Sequence, residues 1–175
     1  MDPLWIEILT KFFIHGGLGY AMIGAAAVFS LGGIGSARGI RIAAAQAGGV
    51  LAEKPELFGK LLVLMALPGT QGFYSLITAI LIGMWSGLFG GKVNLHPMQG
   101  VSIMAIGIAT GFVEWLSAIY QGETSAASIN MVAKQPESSG RAILLPALVE
   151  TYALLGLLSA IVLLQFVTNA GLAIG

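Results

Sequence analysis

No cysteine occurs in the 175 residues, which removes disulfide frameworks and thiolate metal sites together. Charge is almost as scarce. Eight basic and eight acidic side chains give 9% charged residues and no net charge, where a soluble domain carries about 25%. Such a balance offers nothing to nucleic acid, and a chain that is 57% hydrophobic belongs in a membrane. A phosphate loop of the form G-x-x-x-x-G-K-[ST] is also missing, so no nucleotide chemistry is expected of this chain. The start, MDPLWIEILTKFF, carries Asp2 and Glu7, with no positive lead and no small-residue cleavage site; the mature chain is expected to begin there.

The few charges divide the chain. Residues 12–37, 61–91, 93–113 and 151–175 contain no Asp, Glu, Lys or Arg. A helix needs about 20 apolar residues to cross the hydrocarbon, so four crossings are predicted. The expected spans run from Lys11 to Leu51, Glu56 to Leu88, Pro97 to Val132 and Ser138 to Leu172. Arg38, Arg41, Lys54, Lys60, Lys134 and Arg141 gather toward the connections between spans one and two and between spans three and four, against only Lys11 and Lys92 on the other side. The positive-inside rule then places those two loops in the cytoplasm and both termini outside.

Sliding the chain by 81 residues aligns AEKPELFGK (52–60) with AKQPESSGR (133–141) without a gap. The same offset brings Ser36-Ala37 onto Ser117-Ala118, Ala66-Leu67 onto Ala147-Leu148, Thr70 onto Thr151 and Ala79-Ile80 onto Ala160-Ile161. The chain therefore reads as an all-α membrane protein made of a duplicated helical hairpin, residues 1–91 and 92–175. Span one, GGLGYAMIGAAAVFSLGGIGSARG, is small nearly all round, which suits the inner layer of a tight assembly more than a lone four-helix bundle.

Against this apolar ground Glu150 stands out in LLPALVETYALLGLL, and its equivalent in the first hairpin is Gly69. A charge at mid-bilayer costs at least about 2.5 kcal/mol on insertion scales, so an intramembrane carboxylate points to a functional site. Leu67, Thr70, Gln71 and Tyr74 follow at i, i+3, i+4 and i+7 along one face of span two. Pro68 donates no hydrogen bond, and a kink there leaves backbone carbonyls available. Span three brings Gln121 to a similar depth, and Thr151 and Tyr152 flank Glu150. Taken singly, each polar residue reads best as packing or interhelical glue. Around a carboxylate they form a set of oxygens suited to a hard monovalent cation, while His15 and His96 lie toward the outer ends of their segments.

In combination, LPGTQGFY, YQGETSAA and VETYALLG resemble the rotor-ring proteolipid of V-type ATPases, in particular the sodium-pumping bacterial kind. The resemblance implies that Glu150 carries the ion, that the Leu67 carbonyl, Thr70, Gln71 and Gln121 complete a Na⁺ cage, and that Tyr74 hydrogen-bonds the glutamate. It further implies a ring of identical subunits in lipid, a stator subunit bearing an arginine, and central-stalk subunits docking on the cytoplasmic loops. ATP would be handled by partners, and this chain is not catalytic alone. The same ring carrying H⁺ is the alternative, for which Glu150 alone would suffice; a small four-helix multidrug exporter is a further one, although it requires neither the duplication nor the cage. Glu114 departs from the sodium-type pattern, seven residues before Gln121 on the same face. It is expected to be a protonated or snorkelling residue near the interface or the hydrated bore, with an accessory acid on the ion path as the functional option.

Overall fold

In the computed structural model, residues 3–14, 16–91, 93 and 95–169 are described. His15, Lys92 and the end of the fourth span at Leu172 lie outside the described residues. Among the described residues there are no strands, and four helical segments are long and apolar enough to cross a membrane: Leu18–Glu53, Pro55–Trp85, Pro97–Lys134 and Pro136–Thr168.

A short helix α1, Pro3–Leu9, precedes a π turn at Thr10–Ile14. The first span is α2, Leu18–Glu53. It starts later than the expected Lys11 because Gly17 leaves the preceding segment and donates its N–H to the Leu95 carbonyl at 2.9 Å. The second span is α3, Phe58–Ala66, and α4, Thr70–Trp85, joined by a 3-10 turn at Leu67–Gly69 around Pro68. It ends before the expected Leu88. Gly87 takes a left-handed φ of 77°, Leu88 N–H returns to the Gly83 carbonyl at 3.1 Å and Gly87 N–H to Met84 at 3.2 Å, a Schellman stop.

The third span is α5, Pro97–Lys134. Exposed His96 caps it: its ring accepts from Met98 N–H, and the Gln99 side chain accepts from His96 N–H at 2.9 Å. The fourth span is α6, Ser139–Ala142, followed by α7, Leu144–Asn169. Pro146 cannot donate to the Ala142 carbonyl, and the Ser128 hydroxyl supplies that bond at 2.8 Å.

The two loops have the same backbone. Lys54 and Gln135, 81 positions apart, end their helices with φ of −135° and −136°, and each is followed by proline opening a 3-10 turn. Lys54 Nζ reaches the Ala133 carbonyl at 2.6 Å and Lys60 Nζ the Pro136 carbonyl at 3.0 Å, so the first loop is tied to the second.

α2 packs chiefly against α5. A Cβ on Gly107 would lie 2.8 Å from Gly24 Cα, and one on Gly122 would lie 2.6 Å from Gly39 Cα. Backbones this close exclude any side chain, which is how small residues associate helices in lipid. The expectation that the glycines of span one serve an assembly is thereby corrected in part. Gly24, Gly32, Gly35 and Gly39 meet neighbours in their own chain, while Gly33, Gly48 and Gly49 have none within 4 Å. α4 packs on α2, and α7 lies on α5, leaving Phe73, Leu148, Tyr152 and Phe166 on the exposed outer surface.

Candidate ion-binding site

Pro68 builds the site. Its turn tightens Leu67–Gly69 and sets the following turn of α4 against both α2 and α5. The Gly72 N–H is bonded by the Ser36 hydroxyl at 2.8 Å, which pins the turn to the first span. Thr70 Oγ1 donates to the Leu67 carbonyl at 2.9 Å and lies 3.3 Å from Gln71 Oε1. Three oxygens, from a backbone carbonyl, a hydroxyl and an amide, are thus gathered at one place. The Leu67 carbonyl also accepts the Thr70 backbone N–H, which closes the 3-10 turn.

From there the polar groups run across the bundle. Gln71 Nε2 donates to Gln121 Oε1 at 2.6 Å, and both side chains are fully buried. Gln121 Nε2 lies 3.3 Å from Glu150 Oε2 and 3.1 Å from the Pro146 carbonyl. Tyr74 Oη closes the circuit from the second span, donating to Glu150 Oε1 at 2.7 Å. Glu150 is half-buried. All six residues singled out in the sequence, Leu67, Thr70, Gln71, Tyr74, Gln121 and Glu150, therefore meet within one chain.

Two flanking residues do not join them. Thr151 is exposed and bonds the Leu148 carbonyl of its own helix at 2.7 Å, and Tyr152 is exposed. Ser117 does join. Its Oγ lies 3.4 Å from Gln71 Nε2 and 3.4 Å from the Val149 carbonyl, so it links all three spans of the site. The signal for it was the alignment of Ser36 with Ser117 at the duplication offset: both serines anchor the break in the second span, one through Gly72 and one through Gln71.

Glu114 is not where the sequence led us to expect. It is neither snorkelling nor facing a hydrated bore: it is fully buried, and neither carboxyl oxygen has a hydrogen-bond partner among the described residues. The reason is that its face of α5 is the face α5 turns toward α4 and α7, where Gly156 leaves room for it.

Chemically, the assembly offers a carboxylate, two amide oxygens, a hydroxyl and a backbone carbonyl. Such hard oxygens suit an alkali cation or a proton and not a soft metal. A single negative charge balances a single positive one.

Residues 23–82 and 104–163 each match the C-subunit family of ATP synthases. The two matches start 81 residues apart, the offset of the internal alignment. The V-type sodium ATPase subunit K of Enterococcus hirae is 36% identical over 142 residues, covering 81% of this chain and 88% of that protein. The A-type ATP synthase subunit K of Methanocaldococcus jannaschii is 36% identical over 162 residues, covering 93% of this chain and 70% of that protein.

Proposed function

We propose a sodium-carrying rotor subunit, on the premise that this chain belongs to the ATP synthase C-subunit family, whose members form rings of helical hairpins in rotary ATPases. The chain is a multi-pass membrane protein and a rotor-ring proteolipid of the V or A type, and it is not catalytic by itself. The proposal concerns its cargo and its working residues.

Glu150 is the carrier. Facing lipid as a bare anion it would be costly, whereas with Na⁺ beside it the pair is neutral and can be carried past the acyl chains. The Leu67 carbonyl, Thr70, Gln71 and Gln121 supply the neutral oxygens around the ion, and Tyr74 holds the carboxylate in its closed position. One observation carries this reading: Tyr74 and Gln121 both bond Glu150, while Gln71 extends the same network to Thr70 and the Leu67 carbonyl. A proton carrier needs the carboxyl but not the rest of that network. The name of the Enterococcus hirae relative, a sodium ATPase subunit, points the same way.

Each chain then contributes two hairpins, 1–91 and 92–175, of which the second holds the charged member of the site. Residues 52–60 and 133–141 form the cytoplasmic face where the central stalk docks, and both termini lie outside. On reaching the arginine of a stator subunit, the carboxylate exchanges Na⁺ for that cation and releases it. ATP hydrolysis or synthesis takes place on partner subunits.

Carbodiimide labelling of the purified ring, read by peptide mass spectrometry with and without Na⁺, tests the cargo. The reagent attacks protonated carboxyls in apolar surroundings. Protection of Glu150 by Na⁺ supports the reading; equal labelling in both conditions replaces Na⁺ by H⁺.

A further inference from the structure

Glu114 is a titratable group that the sodium site does not use. It is 0% exposed, both of its oxygens are buried without a hydrogen-bond partner among the described residues, and Ser75 Oγ, also 0% exposed, is unbonded in the same way. Helical register brings these two groups to one level. Gln71 bonds Ser117, and one turn further from the loops leads to Ser75 on the second span and Glu114 on the third. That level lies about 10 Å from Gln121 along the helix axis, on the side away from the two similar loops.

Other ionisable groups lie around it. From the second span there is Tyr74, whose hydroxyl is given to Glu150, and from the fourth there is Glu150 itself. The first span presents Arg38, whose guanidinium lies 5.9 Å over the Trp115 ring. Among the described residues the only ion pair is Lys11 with Glu7, and none of their cations pairs with Glu114. An isolated carboxylate in such surroundings is neutralised, and a proton does this without the further oxygens that a metal ion requires.

A groove lies beside the carboxyl. Between the third and fourth spans runs an open, mostly apolar groove of about 360 Å³, lined by Ile106, Val113, Tyr152, Leu155, Gly156 and Ser159 among others. Gly156 separates it from the carboxyl. A Cβ there would stand 3.4 Å from Glu114 Oε1 and 2.8 Å from Val113 Cγ1, so the wall is thinnest where the side chain is missing.

We propose that Glu114 is a second, exchangeable proton site of this chain, reached through the groove between the third and fourth spans at Gly156. In exchange, the carboxyl O–H breaks and its proton passes to a water molecule entering along the groove; loading is the reverse. The site goes beyond the sodium reading and does not depend on it.

The test uses the intact ring in mild detergent, treated with dicyclohexylcarbodiimide with and without Na⁺, and digested for mass spectrometry. Glu114 and Glu150 fall on different spans and are read separately, so loss of Na⁺ protection at Glu150 would strike the sodium reading alone. The expected result is labelling of Glu114 to the same extent in both conditions, lost in Gly156→Val while Glu150 still labels. If Gly156→Val does not assemble, Ser159→Leu, which fills the groove without touching the carboxyl, is expected to give the same loss. Glu114 unlabelled while Glu150 labels overturns the proposal, as does Na⁺ protection of Glu114, or labelling that persists in the blocked variant that assembles.

Discussion

Tyr74 Oη stands 2.7 Å from Glu150 Oε1 and ties the second span to the fourth. On the proposed reading, in which the carboxylate opens to exchange Na⁺, this bond sets part of the resistance to opening. Hydrogen bonds to charged groups contribute about 1.5–3 kcal/mol. Tyr74→Phe is therefore expected to weaken Na⁺ retention roughly ten- to hundredfold, read as a higher Na⁺ concentration for half-protection of Glu150 from carbodiimide. An unchanged midpoint would remove Tyr74 from the site.

Glu150→Gln leaves the shape and removes the charge. ATP-driven sodium uptake into vesicles carrying the whole complex should vanish while the ring still assembles. Retained coupled uptake would be fatal to Glu150 as the carrier.

The fully buried Gln121 connects Gln71, the Pro146 carbonyl and Glu150. Gln121→Leu keeps the volume but strands the Gln71 amide, at a cost of about 1–3 kcal/mol. Both ring stability, followed as the temperature at which it dissociates in detergent, and Na⁺ protection should fall. Thr151→Ala is the comparison: its hydroxyl serves only its own helix at an exposed position, and the change should stay within about 0.5 kcal/mol.

Gly24→Ala would place a methyl 2.8 Å from Met104 Cα and 2.9 Å from the Ile103 carbonyl. Backbone cannot step aside as a side chain can, so overpacking of about 1–3 kcal/mol is expected, with lower yield of folded chain. Gly49 has nothing within 4 Å in its own chain. Gly49→Ala should leave the helices intact by circular dichroism, and a ring that then fails to form would locate a neighbouring subunit at that face.

The spans and the five polar side chains that meet at Glu150 were legible because a charge or a polar group in a run of aliphatic residues has few inexpensive places to go. Duplication made the loops legible as well: Lys54 and Gln135 carry the same backbone turn despite different side chains. Span ends were less readable. Glycine occurs throughout these segments, and nothing in the sequence separates Gly87, which stops a helix with a left-handed turn, from Gly83 within it. Ser117 by itself gives little sign of belonging to the site, because a serine in a membrane helix usually satisfies itself on its own backbone. For Glu114 the helical register gives the face but not the surroundings. Its burial depends on how closely the fourth span approaches, and that approach is set by Gly156, forty-two positions away in the chain.

Gly69, in the turn after Pro68, holds the position where the second hairpin has Glu150. On the proposed reading, a rotor built from such chains has one ion-carrying carboxylate of the Glu150 kind for every four helices. For a ring of given circumference, a full revolution moves half as many of these ions as it would with a carboxylate on every hairpin. The free energy of each revolution is divided among fewer ions, and each can be driven up a steeper gradient.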